Sequence, residues 1–240
     1  MQLNILEEFD WQSHLSELRR RLLTCTITIL LFFSILLFFS KQLYSLLALP
    51  LLKTLPIGQQ LIAVSITSPL FSPLKLSLIV ACFMAVPLLL YHLWAFVAPG
   101  LYQHERRWIW PLLLASVVLF YLGVIFAYFI VLPLALQFFT HSAPMGVTVS
   151  PDINNYLSFT LQLFLAFGIT FEVPVLILLL LGTGCVTLIQ LRSVRPYAIV
   201  AAFILAMLLG PPDVVSQILL AIPLWLLYEL GIILGRVFKI

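Results

Sequence analysis

Apolar residues run along this chain in long blocks, and polar ones punctuate the blocks instead of alternating with them. The blocks cover about 22–40, 74–94, 111–136, 156–181, 196–210 and 214–235. Most approach the roughly 20 residues that cross about 30 Å of hydrocarbon at 1.5 Å rise per residue. They are rich in Leu, Phe and Ile throughout, which does not fit barrel strands that alternate lipid-facing and lumen-facing residues. The pattern therefore predicts an all-α integral membrane protein with six transmembrane helices in one domain spanning 1–240. The fifth block is short: about 15 residues reach only about 23 Å. It is joined to the sixth by Pro211-Pro212-Asp213 alone, so the bilayer should thin around this hairpin or the helices should be sheltered.

The punctuation predicts the connections. Leu15, Leu18 and Leu22 form one stripe at helical spacing, with Glu17 and the arginines facing elsewhere. This predicts a short amphipathic helix over 13–22, lying at the bilayer surface and running into the first span. Between Gln42 and Ser68, Pro50, Pro56 and Gly58 suggest an interfacial segment. Pro87 should kink the second span. After it, Phe96 to Arg107 forms a turn in which Pro99 and Gly100 stop the helix, one lacking a backbone donor and the other tolerating a left-handed exit. Thr140 to Asn155 reads as a loop, and Gly168, Glu172 and Pro174 interrupt the fourth block.

Composition removes the soluble alternatives. The chain is 63% hydrophobic and 9% charged, against about 45–50% and 25% in soluble domains, and no stretch outside the spans would house an ordinary soluble domain. Cys25, Cys82 and Cys185 lie far apart in apolar sequence and read as small hydrophobes. Glu7, Glu8 and Asp10 stand where a signal peptide would carry basic residues, so the first span is expected to be retained. Of the twelve basic residues, all but Lys41, Lys53 and Lys75 fall on one predicted side of the membrane. The positive-inside rule then places both termini in the cytoplasm.

Few residues remain that could carry chemistry. Glu17 precedes Arg20 and Arg21 by three and four residues, the spacing of a helix-surface ion pair; it could equally present a carboxylate to an incoming cation. Glu105 is an ordinary acid in a helix's first turn, or a second such carboxylate. Glu172 is harder to leave without a role, because an ionised group near mid-bilayer costs at least about 2.5–3.5 kcal/mol; Gln162, Gly168 and Thr170 could give it a polar inner face. Glu229, two turns from Arg236, reads as interfacial, and Asp213 as a cap of the sixth helix. His14, His92, His104 and His141 lie singly, and neither a metal nor a cofactor is expected.

Four motifs occur in order along the chain: His14-Leu-Ser-Glu17-Leu-Arg19; Phe96-Val-Ala-Pro99-Gly100-Leu-Tyr102 through Glu105-Arg106-Arg107; Phe167-Gly168 with Phe171-Glu172-Val-Pro174; and Pro211-Pro212-Asp213 with Ser216-Gln217 and Leu220-Ala-Ile-Pro223. With them the chain resembles TatC, the polytopic core subunit of the twin-arginine protein translocase, along essentially its whole length. The resemblance implies a concave bundle in the bacterial inner membrane that binds Arg-Arg signal peptides of folded proteins. It also implies assembly with single-span subunits of the TatA and TatB type into a hetero-oligomer with several copies, driven by the proton-motive force. On this resemblance Glu17, Arg19 and Glu105 match signal-recognition positions and Glu172 the glutamate of the concave face. Met207, Asp213 and Gln217 match positions on the external side near partner contacts. Gly210 departs from relatives that carry a hydroxyl residue there. Membrane lipids are expected around the protein; nucleic acid is not a partner, and the family is not enzymatic. A different class, a proton- or cation-coupled secondary transporter using Glu172, stays open on the residues alone, although no inverted repeat is visible.

Overall fold

A computed structural model describes residues 2–54, 62–97, 109–141, 152–209 and 214–237. Pro99, Gly100, Glu105, Gly210 and Asp213 lie outside the described residues. The helices are α1 (Gln2–Leu37), α2 (Ser40–Thr54), α3 (Ser68–Val97), α4 (Ile109–Phe126), α5 (Leu132–His141), α6 (Ile153–Thr170), α7 (Val173–Gly182), α8 (Leu188–Ser193), α9 (Arg195–Leu209) and α10 (Val214–Val237), with a π turn, Ala127–Val131, between α4 and α5. Among the described residues, five stretches are long and apolar enough to cross a membrane: Leu15–Leu37, Ser68–Ala95, Trp110–Phe138, Ile153–Gly182 and Gln217–Val237. The apolar helix Arg195–Leu209 is shorter. The protein is thus an all-α, multi-pass membrane protein whose described residues include six apolar helical segments; the first begins at Leu15 and the second at Ser68, ahead of the expected 22 and 74.

Two expectations change. The stripe over 13–22 is not a separate surface helix. No Gly or Pro lies between Gln2 and Leu37, so α1 is continuous over 36 residues, or about 54 Å of helical rise. Its amphipathic turns are one end of the first span. The segment after it is also more regular than its prolines suggest, since α2 runs through Pro50 to Thr54.

Helix α6 is the centre of the packing. Its Leu157, Leu161, Leu163, Phe164 and Phe167 are buried against Leu76 of α3, Val131 and Leu132 at the start of α5, Ala202 and Ala206 of α9, and Leu220 and Leu224 of α10. Small residues permit the closest approach. A Cβ on Gly123 would come within 2.6 Å of the Phe167 carbonyl oxygen, and one on Gly168 within 2.7 Å of the Phe120 ring. At the rim, α1 packs chiefly on α3, and Leu22, Leu23, Ile27, Leu30, Leu31 and Ile35 remain exposed.

The end of the molecule carrying α2 is closed by a polar clasp. Ser72 Oγ donates to Asn154 Oδ1 (2.7 Å), and Asn154 Nδ2 donates to Ser68 Oγ (2.9 Å). Asp152 caps α6 by accepting from Asn155 N and also accepts from Val64 N. Ile153 N donates to Ile62 O in an isolated parallel bridge. Lys75 Nζ donates to Ser158 Oγ. The helix start at Ile153 takes both asparagines out of the expected loop and into its first turn.

Candidate functional site

At the opposite end, Glu17 and Arg21 lie one turn apart on α1. Arg21 Nε (3.0 Å) and Nη2 (2.5 Å) both donate to Glu17 Oε1, and Nη2 also reaches Ala95 O at 3.4 Å. Arg21 therefore braces α1 against the last turn of α3, whose carbonyls carry partial negative charge and favour a cation. The Glu17 side chain is 42% exposed and that of Arg21 22%, so the carboxylate is the more open of the two. At this exposure an i,i+4 pair is worth about 0.3–0.5 kcal/mol. Arg19 is exposed. At 100° per residue it stands about 200° from Glu17 around the helix. There it lines a shallow groove of about 560 Å³ with Leu15, Ser16, Arg20, Leu23 and Thr24. The structure does not bring Arg19 and Glu17 onto one surface.

Glu172 sits at the break between α6 and α7. Pro174 supplies no amide proton for the helical ladder, so α6 ends and a new helix begins on Val173 with proline in its first turn. Glu172 is ten residues before Gly182, about 15 Å by helical rise and half the thickness of a roughly 30 Å hydrocarbon core. Its Oε1 is buried with no hydrogen-bond partner. Ser116 of α4 faces it without completing a hydrogen bond, and Ser116 Oγ is buried and unpartnered as well. The buried Ser68, Ser72, Ser77 and Thr160, by contrast, all make hydrogen bonds. Tyr44 Oη, both ring nitrogens of His92, Arg195 Nε and Trp225 Nε1 are also buried without partners among the described residues, but Glu172 and Ser116 are the pair that face each other, and such groups call for an explanation in function or bound water.

The polar face expected around Glu172 is built differently from the sequence reading. Gln162 is exposed, Thr170 Oγ1 donates to Ala166 O within its own helix (2.7 Å), and Gly168 serves packing against Phe120. Ser116 takes their place. In an apolar run, a single serine signalled no more than a small residue.

The α9–α10 hairpin carries the remaining candidates. Gln217 Nε2 donates to Phe203 O across it (3.1 Å), while Met207 is exposed. Tyr197, Val200, Ile204 and Met207 are all exposed at three- to four-residue spacing, opposite the buried Ala202 and Ala206, so α9 offers an uncovered apolar stripe. Glu229 is not the snorkelling partner of Arg236 that the sequence suggests. Arg195 Nη2 donates to Glu229 Oε2 at 2.7 Å, and Tyr228 Oη donates to Leu191 O at 2.7 Å. Together they tie α8 and the start of α9 to α10. Among the described residues no group of His, Cys, Asp or Glu could hold a metal ion.

The model of the family described as "Sec-independent protein translocase protein (TatC)" matches residues 13–223. The chain is 54% identical over 236 residues to the Sec-independent protein translocase protein TatC of Haemophilus influenzae, covering 98% of this chain and 92% of that one. It is 50% identical over 224 residues to the protein of the same name from Escherichia coli K12, covering 93% and 87%. A crystal structure described as the twin arginine translocase receptor TatC superposes with a TM-score of 0.84 at 45% identity, covering 95% of this chain and all of that one.

Proposed function

Because the chain belongs to the TatC family of Sec-independent protein translocase proteins, we propose that it is the component of a bacterial twin-arginine translocase that receives Arg-Arg signal peptides and scaffolds the other subunits. The observation that carries this reading is the half-open carboxylate of Glu17, braced to the end of α3, from which the chain leads directly into the 98–108 segment bearing Glu105. Two carboxylates would receive two guanidiniums. Arginine's planar fork suits bidentate recognition, whereas lysine is a compact point charge, so the site would prefer Arg-Arg to Lys-Lys. Arg19, on the far side of α1, would act on phosphate headgroups or on the peptide's flanks.

The bias of basic residues supports an inner-membrane protein with both termini in the cytoplasm and all crossings in one domain. The peptide's apolar stretch would then run towards the Glu172–Ser116 pocket. TatA- and TatB-type single-span helices would pack on the exposed stripe of α9 near Met207, with Asp213 and Gln217 at the external end. Family membership does not favour a solute transporter built on Glu172.

Site-specific crosslinking of an Arg-Arg signal peptide and its Lys-Lys counterpart tests the receptor. Glu17→Ala and Glu105→Ala should each reduce Arg-Arg crosslinking by at least about tenfold, the scale of losing one charged hydrogen-bond partner, and affect the Lys-Lys control far less. Wild-type crosslinking in both variants would overturn the reading.

A further inference from the structure

Arg21 presents to Glu17 the same functional group that a twin-arginine peptide would bring, a guanidinium meeting one carboxylate oxygen through two nitrogens. The arginine is the less exposed partner and leans on α3. One turn before Ala95 on α3 stands His92, within electrostatic reach of Arg21, and both of its ring nitrogens are buried with no partner among the described residues. A neutral imidazole has one acceptor nitrogen. A guanidinium that let go of Glu17 would therefore find two acceptors at hand, the Ala95 carbonyl it already touches and the His92 ring, at a helix end whose dipole favours a cation.

We propose that Arg21 is the receptor's internal placeholder: it occupies Glu17 while no peptide is bound, and an incoming peptide arginine displaces it onto Ala95 and His92. This rests on the reading of Glu17 as a signal-peptide carboxylate. The exchange is like for like, one fork for another on the same oxygens, so Glu17 keeps a guanidinium partner throughout. Lysine is a poor competitor in such an exchange, because it is more strongly hydrated and cannot reproduce the fork. The cost of displacing Arg21 is the same for either peptide, so the resident arginine lowers the affinity for both and leaves the Arg-to-Lys preference to the fit of the fork.

Binding of fluorescent Arg-Arg and Lys-Lys signal peptides to the full-length protein in lipid nanodiscs tests this, using Arg21→Gln, His92→Phe, Glu17→Gln and the Arg21→Gln/His92→Phe pair. With Arg21 no longer to displace, Arg21→Gln should tighten both peptides by about twofold, the size of an exposed i,i+4 ion pair, and leave the Arg-to-Lys ratio as it was. His92→Phe removes one acceptor and should weaken Arg-Arg binding severalfold, but change nothing once Arg21 is also Gln. If Arg21→Gln weakens both peptides as Glu17→Gln does, Arg21 merely orients Glu17 and the placeholder role is wrong. Wild-type affinities for both peptides in Arg21→Gln would also overturn it. Arg21→Lys, which keeps the charge and removes the fork, should give affinities between those of wild type and Arg21→Gln and serves if the glutamine variant melts early. Undiminished Arg-Arg binding by Glu17→Gln would instead remove the receptor reading itself, and the placeholder with it.

Discussion

At the scale of single residues, Glu172 and Ser116 stand out as two buried polar groups that face each other, each with an oxygen that has no hydrogen-bond partner among the described residues. A carboxyl oxygen buried without a hydrogen bond at mid-membrane depth is held at a cost to stability, so replacements of Glu172 should sort by charge. Glu172→Gln keeps the shape and adds a donor that can reach Ser116. Glu172→Lys places a cation in the same pocket, at about 2.5–3.5 kcal/mol on insertion scales. Export of a folded reporter carrying an Arg-Arg signal should therefore survive Glu172→Gln in large part and fail in Glu172→Lys; equal loss in both would show that the acid itself is needed. Glu172 was legible in the sequence because an isolated acid in an apolar run has no bland explanation. The pairing of Arg21 with Glu17 was legible from their spacing; Ser116 and His92 were not legible as site residues. A serine and a lone histidine acquire meaning only from the helix that faces them.

Individual helices were read well where backbone chemistry decides and poorly where neighbours decide. Pro174 ends α6 as its missing donor requires, and Thr187 with Gln190 closes a capping box that starts α8. Gly184 turns the chain after α7 at φ 65°, a conformation side chains rarely adopt. The link from Arg195 to Glu229 was out of reach, because helices apolar all round carry no stripe that names their partners. The contact between α4 and α6 shows what fixes such pairs. Gly123→Ala would drive a methyl into the Phe167 carbonyl and to 2.9 Å from Phe171 Cγ, and backbone cannot step aside. Gly235→Ala meets mainly Leu181 Cδ1, the free end of a side chain that can rotate. Thermal unfolding in detergent should show Gly123→Ala destabilised by about 1–3 kcal/mol, in the range of overpacked cores, and Gly235→Ala close to wild type. Equal losses would mean that the α4–α6 separation is adjustable.

For the whole molecule, α9 sets a mismatch with the membrane. Fifteen residues rise about 23 Å, whereas Ser68–Ala95 and Ile153–Gly182 are 28 and 30 residues long. Lipid phosphates beside α9 should therefore be drawn inward by several ångströms relative to those beside α1, as cryo-electron microscopy of the protein in nanodiscs would show; a bilayer of uniform thickness around it would contradict this. The expectation was available from the length of the apolar run alone.

The clasp that joins residues 62–72 to 152–158 also has a bearing on biosynthesis. The amide of Val64 waits for an acceptor that lies 88 positions later in the chain. At roughly 5–20 residues per second, the ribosome needs about 4 to 18 s to deliver it. During that interval the nascent protein has Ser68 and Ser72 across the bilayer or at its surface without their eventual partner, and the α2 end cannot close until the fourth crossing has been inserted. Ser68, Ser72 and Asn154 are therefore joined only late in synthesis, so an unfinished copy differs from a finished one at this end of the molecule.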